Sequence, residues 1–447
     1  MGRLAETAIA AALFLAISLA SAFTQRAERV FGDGEQYHRM SWQFADGVLP
    51  LRAEAPFVYR LATPWLAARV DPLVSRVVPA WIARAVEDSA GLKGVVPFYA
   101  VNIAATLGAL VLLLAYLRCF VASPALRLLL VALWMAAWHA PARYVYFNPT
   151  NVEPLFFVAV LAGLLTIEKT QHLNAWRRAL LMAPLVVVAT LCRESGVLVS
   201  LVFVAGSRPL RLLRERRWVT IGALLLPIAA GVAALAFTRQ VAVTSNVYQP
   251  WAELVAILRG KSIPGWVLAW FFTFGPAAMA VIVAAAHPVR AFLAARPHLA
   301  FYLLLVGVLA FVGGTDTERI LGWAAPVVLV LLGVAIGDRL QVLKRTPALV
   351  AVLVVVQLAS ARVLWPIPVG VDDVPRTAEL DVSWRSLAAV FDKVLVVDNY
   401  YANLWTYFGS RPVQALILVF DVCFVVAIVT FLNRRQRLAM SAGTKRR

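Results

Sequence analysis

The chain has 447 residues, 62% of them hydrophobic, and a formal net charge of +18. Apolar runs near the length of a membrane-spanning helix recur from residue 7 to residue 432, which excludes a soluble domain of any size. The composition predicts an all-α polytopic integral membrane protein whose single transmembrane domain covers residues 1–447.

The apolar runs predict about twelve transmembrane helices. They cover residues 7–23, 96–117, 127–141, 152–167, 178–192, 195–206, 219–237, 265–286, 299–313, 320–337, 347–362 and 413–432. The first run resembles a secretory signal, but Arg3 is its only preceding cation and Glu6 follows soon after, so we expect an uncleaved span. The three cysteines have unrelated spacings in or beside apolar runs, which predicts packing residues rather than disulfides or a metal cluster.

Charge is distributed unevenly between alternate loops. With the N-terminus inside, the cytoplasmic segments, including the basic tail 433–447, hold 22 of the 42 Lys and Arg residues but four of the 24 acids. Short loops rich in Lys and Arg stay in the cytoplasm, so this bias predicts a multi-pass inner-membrane protein with both termini cytoplasmic. Because the bias accounts for the net charge, basicity does not indicate nucleic-acid binding. Chemistry is expected on the periplasmic side, where the acids lie.

Two predicted outer loops are long. In the first, residues 24–95, apolar residues alternate with arginines after Pro64 and Pro79, which favours amphipathic helices lying in the membrane surface. The second, residues 363–412, mixes acids with Trp and Tyr. That mixture suits contacts with sugars, and it is equally typical of an interfacial aromatic belt.

The segment 31–39 of the first outer loop carries the main candidate for catalysis. Glycines flank Asp33, and a helix beginning there puts Tyr37 on the face of Asp33 and groups Glu35 with His38 and Arg39. A carboxylate at the bilayer edge can serve as a general base. The alternative is that Asp33 caps a helix while Glu35 and Arg39 form a solvated pair.

Three further segments place charged or amide side chains at membrane depth or just before a helix. Arg60 lies between aromatic and apolar residues, where it is suited to binding a phosphate or to anchoring at head groups. Prolines between the third and fourth spans predict non-helical backbone that lines a cavity. After Cys192, charged residues interrupt an apolar stretch and predict a break between two helices. The candidate contacts there are Arg143, Asn148, Asn151, Glu153, Arg193 and Glu194, although Glu153 alternatively satisfies helix amides and Arg193 alternatively pairs with Glu194.

Two later acids complete the candidates. Glu318 and Arg319 lie in a charged turn directly before a span, where Arg319 is suited to a phosphate contact or to pairing within its own turn. Asp421 lies near the middle of the final span, where a carboxylate either relays protons in a transporter or is a hydrogen-bonded structural residue.

This arrangement resembles the GT-C superfamily of membrane glycosyltransferases, which use sugars linked to a polyprenyl phosphate. The Asp33-x-Glu35 pair after the first span is similar in position to the family's catalytic acidic motif. Glu153 resembles the second acid that occurs in some members of the family, and the Arg193-Glu194 and Glu318-Arg319 pairs resemble its polar breaks. The chain departs from some members in lacking an adjacent acid pair and a large soluble domain.

The resemblance implies an enzyme of the cell envelope with Asp33 and Glu35 as catalytic residues. Its partners would be a polyprenyl-phosphate sugar donor and membrane lipids, with no cofactor expected and the need for a divalent ion left open. Tyr37, His38 and the other residues named above would contact substrate. Two other classes stay open, a transporter or flippase that uses Asp421 and a non-catalytic scaffold protein.

Overall fold

The computed structural model describes residues 2–24, 33–361, 406, 407, 409 and 411–444. Within these ranges the chain is almost entirely helical, as predicted. The helices are α1 Arg3–Thr24, α2 Asp33–Ala45, α3 Ala62–Val77, α4 Ala80–Ala90, α5 Val96–Leu117, α6 Pro124–Ala136, α7 Pro141–Phe147, α8 Glu153–Lys169, α9 Ala175–Cys192, α10 Leu198–Gly206, α11 Pro209–Arg214, α12 Trp218–Val241, α13 Pro250–Gly260, α14 Ile263–Phe274, α15 Pro276–Ala284, α16 Ala286–Ala295, α17 Pro297–Val312, α18 Thr317–Leu321, α19 Ala325–Arg345, α20 Pro347–Ser360 and α21 Arg411–Thr444.

Seven helices in the described ranges are long and apolar enough to span a membrane, and the number rises to nine if each of two bent helix pairs counts as one span. These helices make the chain a multi-pass helical membrane protein. The predicted number was twelve. Four of the predicted spans correspond to short helices: α8 has 17 residues, and the stretches Glu194–Gly206, Pro297–Val312 and Pro347–Ser360 are also shorter than 18 residues. A fifth, residues 265–286, is broken at Gly275.

Contacts divide the chain into two compact units. The first comprises Met1–Pro124, Pro141–Gln249 and Arg296–Tyr302, and the second comprises Ala125–Ala140, Pro250–Ala295 and Leu303–Arg447.

In the first unit, residues 33–95 form three helices, a short strand and a 3-10 helix before α5. Two helices begin near Pro64 and at Pro79, which precedes α4. Strand β1 (Leu51–Ala53) pairs in parallel with β2 (Ala242–Thr244), so the segment is tied to the end of α12. Asn246 adds to this tie, because its side chain accepts a hydrogen bond from the Ala55 amide at 2.8 Å and donates one to the Ala55 carbonyl at 3.3 Å.

A hydrophobic core under this segment fixes its position. Its buried residues include Tyr37 and Met40 of α2, Leu51 of β1, Val58 of the 3-10 helix Phe57–Tyr59, and Phe98 of α5. Burying such side chains is worth about 1.5–3 kcal/mol each, so the segment is held firmly on the first unit rather than lying loosely over it.

In the second unit, the predicted span 265–286 was wrong as a single helix, because the chain breaks between α14 and α15. Gly275 has φ of 81° and Pro276 follows it. The side chain of Gln357 satisfies the open backbone, donating to the Phe274 carbonyl at 2.9 Å and accepting from the Ala278 amide at 3.2 Å. A glycine in this conformation ends a helix, and a proline at the next position suits the first turn of the helix that follows.

The second long loop predicted for residues 363–412 lies outside the described residues, except for Thr406, Tyr407, Gly409 and the first turn of α21. The basic tail 433–447 is described to residue 444, where α21 ends. All three cysteines are free.

Candidate functional site

A buried arginine joins the first two candidate segments. The Arg60 guanidinium donates to the Tyr37 hydroxyl at 2.7 Å and to a Glu194 carboxylate oxygen at 3.2 Å. Its carbon lies 5.4 Å from the centre of the Phe57 ring. Arg60 is held in place because it follows directly on the 3-10 helix Phe57–Tyr59, which is packed into the core of the first unit.

A second arginine joins the next two segments. Arg193 has extended backbone between α9 and the 3-10 helix Glu194–Val197, and it donates to Glu153 at 3.0 Å. Both side chains are buried, with exposed fractions of 10% and 3%. Since Arg193 and Glu194 are consecutive, the two ion pairs are neighbours. We call Tyr37, Arg60, Glu153, Arg193 and Glu194 the polar cluster.

Glu153 is the first residue of α8, as the sequence predicts. The non-helical backbone before it is fixed by amide side chains. Asn151 accepts a hydrogen bond from the Glu153 amide at 2.9 Å. Asn102 of α5 donates to the carbonyls of Pro149 and Asn151, both at 2.8 Å.

Asp33 begins α2 and is half-buried. Its carboxylate contributes to the electrostatics of the polar cluster. Burial raises the pKa of Tyr37 to about 12, nearby Arg60 and Arg193 oppose that rise, and Asp33 adds to it. Tyr37 is therefore a neutral phenol at physiological pH. Burial opposes the charge of Arg60, but Tyr37, Glu194 and Asp33 outweigh burial and raise its pKa.

Glu35 and His38 do not join the polar cluster. Glu35 pairs with Arg39 at 3.4 Å, and both side chains are about half exposed, which matches the solvated pair considered as the alternative. His38 is buried beside Trp42, with ring centres 4.5 Å apart, and burial lowers its pKa. Of the acidic motif, Asp33 is therefore the carboxylate nearer the polar cluster.

Arg143 and Asn148 lie in and after α7. Arg143 is 3% exposed. The Asn148 side chain accepts a hydrogen bond from the Thr150 hydroxyl at 3.3 Å, which shapes the turn that precedes Glu153. Asn148 thus has a local structural contact of its own.

Glu318 and Arg319 belong to the second unit and are described there by themselves. Glu318 is completely buried and accepts a hydrogen bond from the Thr406 amide at 2.7 Å. Arg319 pairs with Asp316 at 2.7 Å, as in the alternative of a turn that pairs its own charges. Lys261 donates to the Thr317 hydroxyl and to the Ala310 carbonyl, and its position was not expected from the sequence.

Residues that the sequence did not single out support the polar cluster. Asn102 is the clearest, and its signal is a lone amide within the apolar span 96–117. Arg239 stacks on Tyr59, with its guanidinium carbon 3.3 Å from the ring centre. No sequence signal indicated that contact, because a terminal arginine of a span is ordinarily an interfacial anchor.

Within the described residues, no group of three or more His, Cys, Asp or Glu side chains is placed to hold a metal ion. The polar cluster instead combines arginines with glutamates and one phenol. Its side chains form charge-assisted hydrogen bonds with one another.

No family model matches the chain, and no curated protein matches it. Among solved structures, it is similar to the archaeal oligosaccharyltransferase AglB from Archaeoglobus fulgidus, in complex with an inhibitory peptide and a dolichol-phosphate. The TM-score is 0.41 and the identity 12%, over 93% of this chain and 56% of AglB. The chain thus spans a little over half the length of that protein.

Proposed function

We propose that the chain is a membrane glycosyltransferase. In this proposal it transfers a sugar from a polyprenyl-phosphate donor to a hydroxyl of an envelope lipid, glycan or protein, on the periplasmic face of the inner membrane. The observation that carries the proposal is the convergence of four chain segments, all containing candidates chosen from the sequence, in one polar cluster beside Asp33.

Asp33 takes the role of general base. Its carboxylate accepts the proton of the acceptor hydroxyl as the oxygen forms a bond to the anomeric carbon of the donor sugar. The bond from that carbon to the phosphate oxygen breaks, and the polyprenyl phosphate leaves with the electron pair. Attack opposite the leaving group inverts the anomeric configuration.

Arg60 and Arg193 take the role of stabilising the departing phosphate. A guanidinium presents a planar fork of donors and keeps its charge at physiological pH. Two guanidinium groups that the fold holds close together can stabilise the charge that develops on the departing phosphate. Tyr37, Glu153 and Glu194 hold these two arginines, so they act through position.

The test is to delete the gene and complement it with the wild type, Asp33→Asn or Glu35→Gln, measuring lipid-linked sugars and envelope glycans by mass spectrometry. We expect Asp33→Asn to lower transfer by about 10²–10⁴-fold and to cause the donor to accumulate. Glu35→Gln is the matched control, because Glu35 is half exposed outside the polar cluster. Full transfer activity in Asp33→Asn would overturn the mechanism.

One observation favours a second candidate, a transporter or flippase for a lipid-linked or anionic solute. Asp421 is 6% exposed within the apolar helix α21, and buried carboxylates in spans often mark ion or substrate pathways. Solute counterflow in proteoliposomes that Asp421→Asn abolishes and Asp33→Asn leaves intact would support transport in place of transfer.

A further inference from the structure

A dense group of arginines lies between α10 and α12 of the first unit, in a segment that contains no residue of the polar cluster. Residues 208–217 contain five arginines and one glutamate. We call this segment the arginine loop. All five arginines are exposed, as are the apolar Leu213 and Trp218 beside them, at 47% and 64%.

The single acid of the arginine loop, Glu215, forms ion pairs within the loop. Glu215 accepts from Arg211 at 2.6 Å and from Arg217 at 2.9 Å. Glu215 is therefore shared by two cations, and the loop keeps a strong positive charge. Arg208, Arg214 and Arg216 carry that charge outward.

The backbone gives an independent indication that the side chains of Arg208 and Arg216 have a function. Arg208 and Arg216 have positive φ, at 51° and 52°. The end of α11 closes with hydrogen bonds from Arg216 and Arg217 to the carbonyls of Leu213 and Leu212, a helix ending in which glycine is the usual left-handed residue. Glycine would adopt both conformations without the steric cost that an arginine incurs. Two arginines at such positions indicate a role for their guanidinium groups.

The position of the loop indicates its partner. It directly precedes the candidate span Trp218–Val241, and residues at the end of a span are expected at the level of the lipid head groups. Exposed Trp beside arginines is typical of that level. The guanidinium fork matches phosphate oxygens, and each cation near an anionic leaflet contributes attraction.

We propose that the arginine loop binds the head groups of anionic phospholipids. The site is independent of the proposed glycosyl transfer and would exist if the chain were a transporter. Its ligand class is a lipid phosphate with net negative charge, supplied by the leaflet that faces the loop.

The test uses the full chain in nanodiscs of phosphatidylcholine with or without phosphatidylglycerol. Native mass spectrometry measures the phosphatidylglycerol that stays bound when the protein is released. We expect Arg208→Gln, Arg214→Gln and Arg216→Gln together to weaken this association by about tenfold or more. The matched control replaces the exposed Arg434, Arg435 and Arg437 of α21 by Gln. Equal losses in both triple variants, or no loss in the first, would overturn the proposal.

A second variant separates binding from folding. Arg208→Gly with Arg216→Gly relaxes both left-handed residues, so the midpoint of thermal unfolding in detergent should stay the same or rise while lipid association falls. Retained association in this variant would contradict a role for the two side chains. Equally tight binding of a soluble oligonucleotide that displaces the lipid would assign the loop to a soluble polyanion and also overturn the proposal.

Discussion

Arg60 is the residue on which most of the polar cluster depends. It contacts Tyr37, which is 1% exposed, and Glu194, which is 24% exposed at its side chain. A buried ion pair adds little net stability compared with apolar residues, but removal of one partner leaves the others without compensation. The arrangement therefore makes Arg60 costly to replace whatever the chain's activity.

Arg60→Ala should lower the free energy of unfolding by about 3 kcal/mol, since it leaves a buried phenol and a carboxylate without their donor. Arg39→Ala removes the exposed partner of Glu35 and should change stability by less than about 0.5 kcal/mol. Thermal unfolding of both purified variants in detergent measures the difference. Equal midpoints in the two variants would show that burying Tyr37 and Glu194 does not depend on their contacts with Arg60.

His38 should make stability depend on pH. Burial lowers its pKa below the ordinary 6.5, so between the two values the unfolded chain binds more protons than the folded chain. The free energy of unfolding should therefore rise with pH up to about 6.5. As pH falls from 6.5 toward the lowered pKa of His38, the unfolded chain takes up the proton first and the folded state loses stability.

Unfolding of the wild type and His38→Gln between about pH 5 and pH 7.5 tests this dependence. The variant should show a smaller loss on acidification. His172→Gln is the control, because His172 is exposed, and it should behave as the wild type does. A dependence on pH that is unchanged in His38→Gln would assign it to other groups.

The residues that form the polar cluster were partly predictable from sequence. Ionised residues next to apolar runs are rare, which singled out Arg60, Glu153, Arg193 and Glu194. Their pairing was not predictable, because Arg60 and Glu194 are 134 residues apart. The competing interpretation of a self-contained Arg193–Glu194 pair differs from the structure, in which each contacts a residue from another segment.

At the scale of elements, the helix breaks govern how the chain is arranged. The break at Gly275 is completed by the side chain of Gln357 from α20, as described for the second unit. A side chain that replaces missing helix hydrogen bonds is what permits non-helical backbone at membrane depth. No residue with a side chain can therefore replace Gly275 without displacing Gln357.

Gly275→Ala should lower the free energy of unfolding by about 2–4 kcal/mol, because the new methyl group overlaps the Gln357 amide and the backbone conformation excludes side chains. Gly222→Ala is the control. Gly222 lies within α12 with open space around it, so alanine should stabilise the helix by about 0.5–1 kcal/mol. Opposite shifts in the midpoint of thermal unfolding are expected, and a loss of stability in both variants would contradict the argument.

Element starts were more predictable than element lengths. Proline marked the starts of α3 and α4, and Glu153 marked the start of α8, because both residue types suit the first turn of a helix. Apolar runs do not distinguish one span from two short helices joined at a glycine. For that reason 265–286 was predicted as one helix.

At the scale of the whole molecule, hydropathy was sufficient to predict a multi-pass helical protein. The division into two units was not predictable, because it depends on contacts between distant helices rather than on composition. Orientation in the membrane follows from charge alone and stays a prediction.

That orientation gives a labelling prediction. In a chain whose own cysteines are replaced, Arg39→Cys and Arg216→Cys should react with a membrane-impermeant maleimide from opposite sides, with Arg216→Cys facing the cytoplasm. Both residues are exposed. Labelling of both positions from the same side would contradict the topology.

Within the polar cluster, each arginine is paired with a glutamate. In the proposed function, a phosphate competes with Glu194 for Arg60 and with Glu153 for Arg193. Glu194 is the more exposed of the two glutamates, so it is the carboxylate that can turn toward water at the lower cost. An anion would therefore bind here by replacing a glutamate rather than by filling a vacant positive site. An anion that binds the arginine more weakly than the glutamate does would be excluded.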